Sequence, residues 1–146
     1  MTEISFYILA ESAATTAERF CCRLAEDNRA SRRHVYVHAV DDAQARRLDE
    51  LMWTFRQNSF VPHLAAANRA SDDRRTPILI GAEEPPTDFN DVLINLGGDV
   101  SPFFSRFTSQ SEIVADERRN EARAAYRFYR DRGYQLQTHH VSADNG

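Results

Sequence analysis

Apolar positions along this chain recur at two periods, and the switches between them lay out its elements. Short β-rich runs at 4–9, 34–38, 77–81, 91–96, 109–115 and 133–138 predict strands. Helical spacing predicts 17–28, where Phe20, Cys21, Leu24 and Ala25 share a face, and 42–55, where Ala45, Leu48, Leu51, Met52 and Phe55 do. Polar residues at 12–16 and the pair Asp41-Asp42 supply caps for those two helices. Strand, helix, strand, helix is the order of an α/β unit with parallel pairing and right-handed crossovers, so a sheet with helical layers is expected. The run 91–96 reads as its central strand. Residues 64–76 read as a surface loop and 82–89 as a connection. Gly97-Gly98 reads as a turn, and Ser101 and Pro102 start a short helix at 102–107. One domain over 1–138 and a polar tail at 139–146 complete the expectation.

The stretch 116–136 organises the rest. Asp116 can cap a helix, Glu117 suits its positive end, and Gly133 can end it in left-handed geometry before a short strand. Ala122, Ala125 and Tyr129 fall on one face, with Phe128 and Tyr126 at its margins. Beside Tyr126 run Arg119, Arg123, Arg127 and Arg130, a stripe of guanidinium groups along a helix edge. Such an edge suits an anionic ligand that also carries an apolar group, although arginines in this pattern equally make a solvated face. On the second helix, Trp53 projects away from the core face. With Phe60, Val61 and Pro62 it can form a contiguous apolar patch that anchors a protein partner, or it can pack under the loop that follows.

Composition narrows the classes. The chain has 42% apolar and 27% charged residues, as in a water-soluble globule, and a formal net charge of −4. All 18 basic side chains are arginine, against 22 acids, which disfavours a general nucleic-acid coating protein and leaves a local basic patch open. No long apolar span and no charged-then-apolar leader occurs, so the cytoplasm is the expected location, with no membrane partner. Cys21 and Cys22 are adjacent and form neither a disulfide framework nor a metal motif. The turn after the first strand lacks a dinucleotide-binding glycine pattern, and no phosphate-binding loop with its lysine is present, so no cofactor is expected.

His34 and His38 lie about 13 Å apart along a strand, too far for one tetrahedral metal, and His139-His140 has no nearby cysteine pair. Ser59, Ser101 and Ser111 lack a glycine-flanked nucleophile elbow. The carboxylates Glu83, Glu84, Asp88, Asp91 and Asp99 read as a solvated surface before a divalent-ion site. No catalytic or metal residue is therefore expected. Arginine beside tyrosine also serves single-stranded nucleic acids, which keeps direct binding as an alternative; a peptide carboxylate needs only one or two oriented arginines and an apolar pocket.

These residues, taken together, resemble a known family. The residues that carry the resemblance run from Thr2 to Leu9, from Asp42 to Phe55 with Leu48-Asp-Glu before Trp53, through Ser59-Phe-Val-Pro-His63, Asp91 to Leu96, and Tyr126 to Tyr134. In that order they resemble the chi subunits of bacterial DNA polymerase III holoenzyme, over nearly the whole chain. The resemblance implies a Rossmann-like three-layer α/β fold, with a mostly parallel central sheet and helices on both faces. It also implies a noncatalytic accessory role at the replisome. Proteins of this family pair with the psi subunit, which joins them to the clamp loader, and bind the acidic C-terminal tail of single-stranded DNA-binding protein. The family's psi-contact aromatics match Trp53 and Phe60, and spacing extends that patch to Val61 and Pro62. Its tail-binding arginine and tyrosine match Arg123 and Tyr126, and a valine of that surface matches Val114. Arg127 stands where some relatives have lysine, and Arg130 continues the cationic row. A repair helicase is a further partner that the family admits at the psi surface.

Overall fold

The computed structural model describes residues 1–10, 16–55, 61–97 and 99–141. Its strands are β1 (Glu3–Leu9), β2 (Val35–His38), β3 (His63–Ala65), β4 (Ile78–Gly81), β5 (Val92–Asn95), β6 (Ser109–Val114) and β7 (Leu136–Val141). They form one sheet in the order β3-β4-β2-β5-β6-β1-β7, every pairing parallel. Helices α1 (Ala17–Ala30) and α2 (Asp42–Thr54) cover one face through a core that includes Val35, Val37, Ile78, Ile80, Val92 and Ile94. Helix α3 (Arg119–Asp131) and the segment 103–107 cover the other, in a core that includes Ile4, Phe6, Tyr36, Leu79 and Leu93. Burial on both faces is why β2, β4 and β5 read as almost unbroken apolar runs. This is the Rossmann-like α/β architecture, with β5 fourth in the row of seven, at the centre.

Local chemistry sets the helix ends. Thr16 Oγ1 accepts from Arg19 N (3.1 Å) to start α1, and Asp41 Oδ1 accepts from Gln44 N (2.8 Å) to start α2. The Gln44 side chain returns a bond from Val40 N (2.8 Å), so the entry to α2 is held from both sides. Cys21 and Cys22 are both sealed in the core, and burial raises both thiols, Cys22 to about 12, which leaves them inert packing groups.

Helix α3 ends as its sequence suggests. Gly133 has φ 80°, with Gly133 N donating to Arg130 O (3.0 Å) and Tyr134 N to Tyr129 O (3.1 Å). These are the paired bonds of a Schellman stop. A Cβ at Gly133 would meet nothing within 4 Å, so Gly133→Ala isolates the backbone term. It is expected to destabilise the fold by about 1–2 kcal/mol in chemical denaturation, with an unchanged m-value.

Four expectations of secondary structure need correction. Asp116 does not cap α3: Asp116–Arg118 is a 3₁₀ turn, α3 starts at Arg119, and the Asp116 carboxylate instead lies 2.8 Å from Arg119 Nε. The helix expected at 102–107 is only a 3₁₀ turn at Phe104–Arg106, held down by burial of Phe103, Phe104 and Phe107. The loop expected at 64–76 contributes most of edge strand β3 and a 3₁₀ turn at Ala66–Asn68. Its remainder is organised by Arg69, which pairs with Asp88 and reaches Asp73 O (2.7 Å). Finally, β7 runs to Val141, so His139 and His140 belong to the sheet and not to a tail. The His139 ring stacks on Tyr7 at 4.7 Å, and Val141 is buried.

Candidate functional site

Strand register builds one surface from three strands. Ile8 of β1 lies between Val114 of β6 and His140 of β7; one pair of residues earlier, Phe6 lies between Glu112 and Thr138. The two-residue period of a strand points all six toward the α3 side of the sheet. Helix α3 covers this surface incompletely. Between them remains an open cavity of about 290 Å³, lined by Phe6, Ile8, Val114, Thr138 and His140 below and Arg119, Ala122, Arg123 and Tyr126 above. Those four α3 residues are spaced three, one and three apart, a single helical edge. Ala122 matters by its size, since a larger side chain would fill the slot. Tyr126 is 37% exposed and its ring lies 5.5 Å from that of Phe6.

Val114, Arg123 and Tyr126, singled out in the sequence, thus converge on one cavity. Arg127 and Arg130 do not line it; they continue along α3 as exposed side chains, Arg130 paired with Asp131 at 3.2 Å. Arg119, Phe6, Ile8, Thr138 and His140 are additions that the structure makes. The alternation of β1 could have flagged Phe6 and Ile8, whereas placing His140 in a tail hid it. The cavity borders the N-terminal half of α3, so the positive end of the helix dipole adds to the arginines. Arg123 Nη1 donates only to the neutral Asn120 Oδ1 (3.3 Å), which leaves its charge uncompensated by any acid among the described residues. Arg119 Nε is near Asp116 without aiming its N–H at it.

Beneath the cavity a buried polar cluster ties β5, β6 and α3 together. Glu112 accepts from Asn95 Nδ2 (3.0 and 3.1 Å), from the Tyr129 hydroxyl (2.9 Å) and from Gln110 Nε2, while Asn95 Nδ2 also reaches Asp99 O (2.8 Å). Burial outweighs these donors and pushes the Glu112 carboxyl from 4.5 up to about 7. The folded state therefore holds a proton that the unfolded chain releases once the pH exceeds about 4.5, and this contribution to stability falls as pH rises through 4.5–7. Denaturation at pH 5 and pH 8 is expected to differ by on the order of 3 kcal/mol from this group. Glu112→Gln should flatten the difference; an equally steep profile in that variant assigns it elsewhere.

The second surface lies across the sheet. Trp53 is 50% exposed near the end of α2, its ring 4.6 Å from that of His63. His63 is a buried brace: Nδ1 is 2.6 Å from Val61 O and Nε2 3.0 Å from Asp49 O, locking β3 to α2 under the indole. Val61 corrects the sequence reading, because its side chain is fully buried in the core with Leu48 and Met52 and cannot supply an exposed contact. Pro62 is half-buried, and Phe60 lies outside the described residues. Asp42, Arg46 and Asp49, on the α2 edge that continues to Trp53, line a groove of about 590 Å³ floored by Ala45, by Ala65, Ala66 and Ala67 and by Gly81; Trp53 itself is not part of that lining. Gly81 is required there, since a Cβ would sit 2.6 Å from the Tyr36 hydroxyl.

The carboxyl ends of β1, β5 and β6, where doubly wound folds hold nucleotides, border a larger polar cavity of about 750 Å³. Glu18, Asp41, Asp116 and Glu117 stand there against Arg47 and Arg118, and Arg47 is engaged by Glu18 at 3.1 Å. Among the described residues of that lining, acids outnumber arginines four to two, a balance unfavourable to phosphate. Among the described residues no group of three or more His, Cys, Asp or Glu is placed to hold a metal, and no helix is long and apolar enough to cross a membrane.

Residues 1–137 match the family described as DNA polymerase III chi subunit, HolC. The chain is 36% identical over 143 residues to the DNA polymerase III subunit chi of Pseudomonas aeruginosa PAO1, covering 97% of this chain and 98% of that one. It is 32% identical to the subunit chi of Haemophilus influenzae Rd, over 93% of this chain and 95% of the relative. With that of Escherichia coli K12 the identity is 30%, over 94% and 97%. The chain belongs to the family of DNA polymerase III chi subunits and has an accessory role in DNA replication.

Proposed function

We propose that the protein is a noncatalytic adaptor. One face pairs with the psi subunit and through it with the clamp loader; the other receives the acidic C-terminal tail of single-stranded DNA-binding protein. The observation that carries this reading is the α3 cavity, an apolar floor of Phe6, Ile8 and Val114 under a cationic roof of Arg119 and Arg123. At about 290 Å³ it is at the small end of ligand sites, sized for one side chain and its terminal carboxylate rather than for a nucleotide cofactor. In this role Arg123 holds the terminal carboxylate. Tyr126 and Val114 flank the last aromatic side chain of the tail, and Arg127 and Arg130 attract its upstream aspartates.

The psi face uses Trp53 and Phe60, with Pro62 at its margin and the alanine-floored groove along α2 as the support for this reading. A half-exposed indole braced by a buried histidine is a rigid apolar anchor of the kind that dominates interfaces. A repair helicase would compete for the same surface.

The test sets a synthetic acidic peptide ending in a free phenylalanine beside naked single-stranded DNA of matched charge, each titrated into the protein by calorimetry. Saturable peptide binding with little binding to DNA supports the adaptor. The converse favours the second reading, in which exposed Tyr126 and the row Arg123, Arg127 and Arg130 form a stacking platform for single strands.

A further inference from the structure

We propose that His140, on edge strand β7, is a titratable second wall of the α3 cavity and makes capture of the acidic tail proton-linked, tightening as the imidazole gains its proton. The inference rests on the reading that this cavity receives the tail.

The register carries it. Parallel pairing puts His140 level with Ile8, and the two-residue period turns Thr138 and His140 to the cavity while His139 turns to the opposite face, against Tyr7. His140 therefore lines the same space as Arg119 and Arg123 but reaches it from the sheet. When His140 is neutral, the cavity holds cations only on the helix side. When it is protonated, a carboxylate entering between α3 and β7 has positive charge from two elements. An imidazole ordinarily changes charge near pH 6.5, within the range a cell experiences.

The neighbours set the rest of the pH response. Helix α3 presents Arg119 and Arg123, cationic throughout, and the Tyr126 phenol; the preceding turn presents Asp116, engaged with Arg119. Strand β1 contributes only Phe6 and Ile8. Strand β6 contributes Val114 to the lining and, under the floor, Glu112, whose carboxyl is raised to about 7 by burial and becomes negative as pH rises through that value. A charge gained there disfavours an anion in the cavity, as does loss of the His140 proton. The aspartates and terminal carboxylate of the tail stay ionised above about pH 5.5 and add no slope.

The test is calorimetric titration of the phenylalanine-ended acidic peptide at about pH 6 and about pH 8, at fixed ionic strength, into wild type, His140→Gln and Glu112→Gln. Wild type is expected to bind more tightly at the lower pH. His140→Gln should lose roughly two- to fivefold of that gain, with the gap from wild type narrowing at the higher pH. An unchanged pH profile in His140→Gln overturns the proposal, and if Glu112→Gln is then the flat variant, the linkage belongs to the buried carboxyl. Peptide that fails to bind wild type at either pH overturns the reading of the cavity itself, and this inference with it.

Discussion

Replacing Arg123 with alanine is expected to weaken binding of the acidic tail peptide by roughly tenfold to a hundredfold. A charge-assisted hydrogen bond contributes about 1.5–3 kcal/mol, and each 1.4 kcal/mol is a factor of ten in affinity. Arg123 suits that role because it borders an apolar slot and its guanidinium is held by a neutral amide, not a carboxylate, so a ligand need not displace an ion pair. The substitution should leave the fold intact. Ala122, Ala125 and Tyr129 anchor the helix by their burial, while Arg123 is exposed. Arg123→Lys separates charge from shape, and its affinity should fall between those of wild type and alanine, because a lysine lacks the two-pronged fork that matches a carboxylate. Arg127→Ala and Arg130→Ala should act mainly on the association rate and its salt dependence, since neither side chain lines the cavity. Unchanged affinity in Arg123→Ala, with the helix intact by circular dichroism, removes the carboxylate from this position.

The legible parts of this molecule are those in which one period governs one element. Ala122, Ala125 and Tyr129 could be placed on the buried face of α3 because helical spacing alone sorts them, and Gly133 could be placed at its end because the left-handed turn restricts the residue type. The central position of β5 followed from an apolar run that has no polar face to expose. Strand β3 escaped because only three residues form it, and its pairing with β4 is a long-range fact that the sequence of 63–65 does not encode. The inward turn of Val61 escaped for a related reason. An apolar residue in a polar loop can face either side, and here the His63 brace draws the backbone at Val61 against α2. His140 was misplaced because a polar edge strand, exposed on most of its residues, has the composition of a frayed end. What no local pattern could supply was the cavity, which exists only where β6, β1 and β7 lie side by side in register.

Trp53→Ala is expected to reduce pairing with psi by at least about 30-fold, corresponding to about 2 kcal/mol for truncating a central aromatic anchor. The same change should alter the unfolding free energy by no more than about 1 kcal/mol, since half of the indole is already exposed. The two faces should then part company in salt. Apolar burial is little affected by ionic screening, whereas a carboxylate held between arginines weakens as the Debye length shrinks from about 10 Å at 0.1 M to about 3 Å at 1 M. Immobilised psi should therefore retain the protein in a high-salt wash that releases it from immobilised tail peptide. At low salt, Trp53→Ala should keep the tail while losing psi. Parallel loss of both partners with salt, or full psi pairing by a folded Trp53→Ala variant, contradicts a division in which one surface works by desolvation and the other by charge.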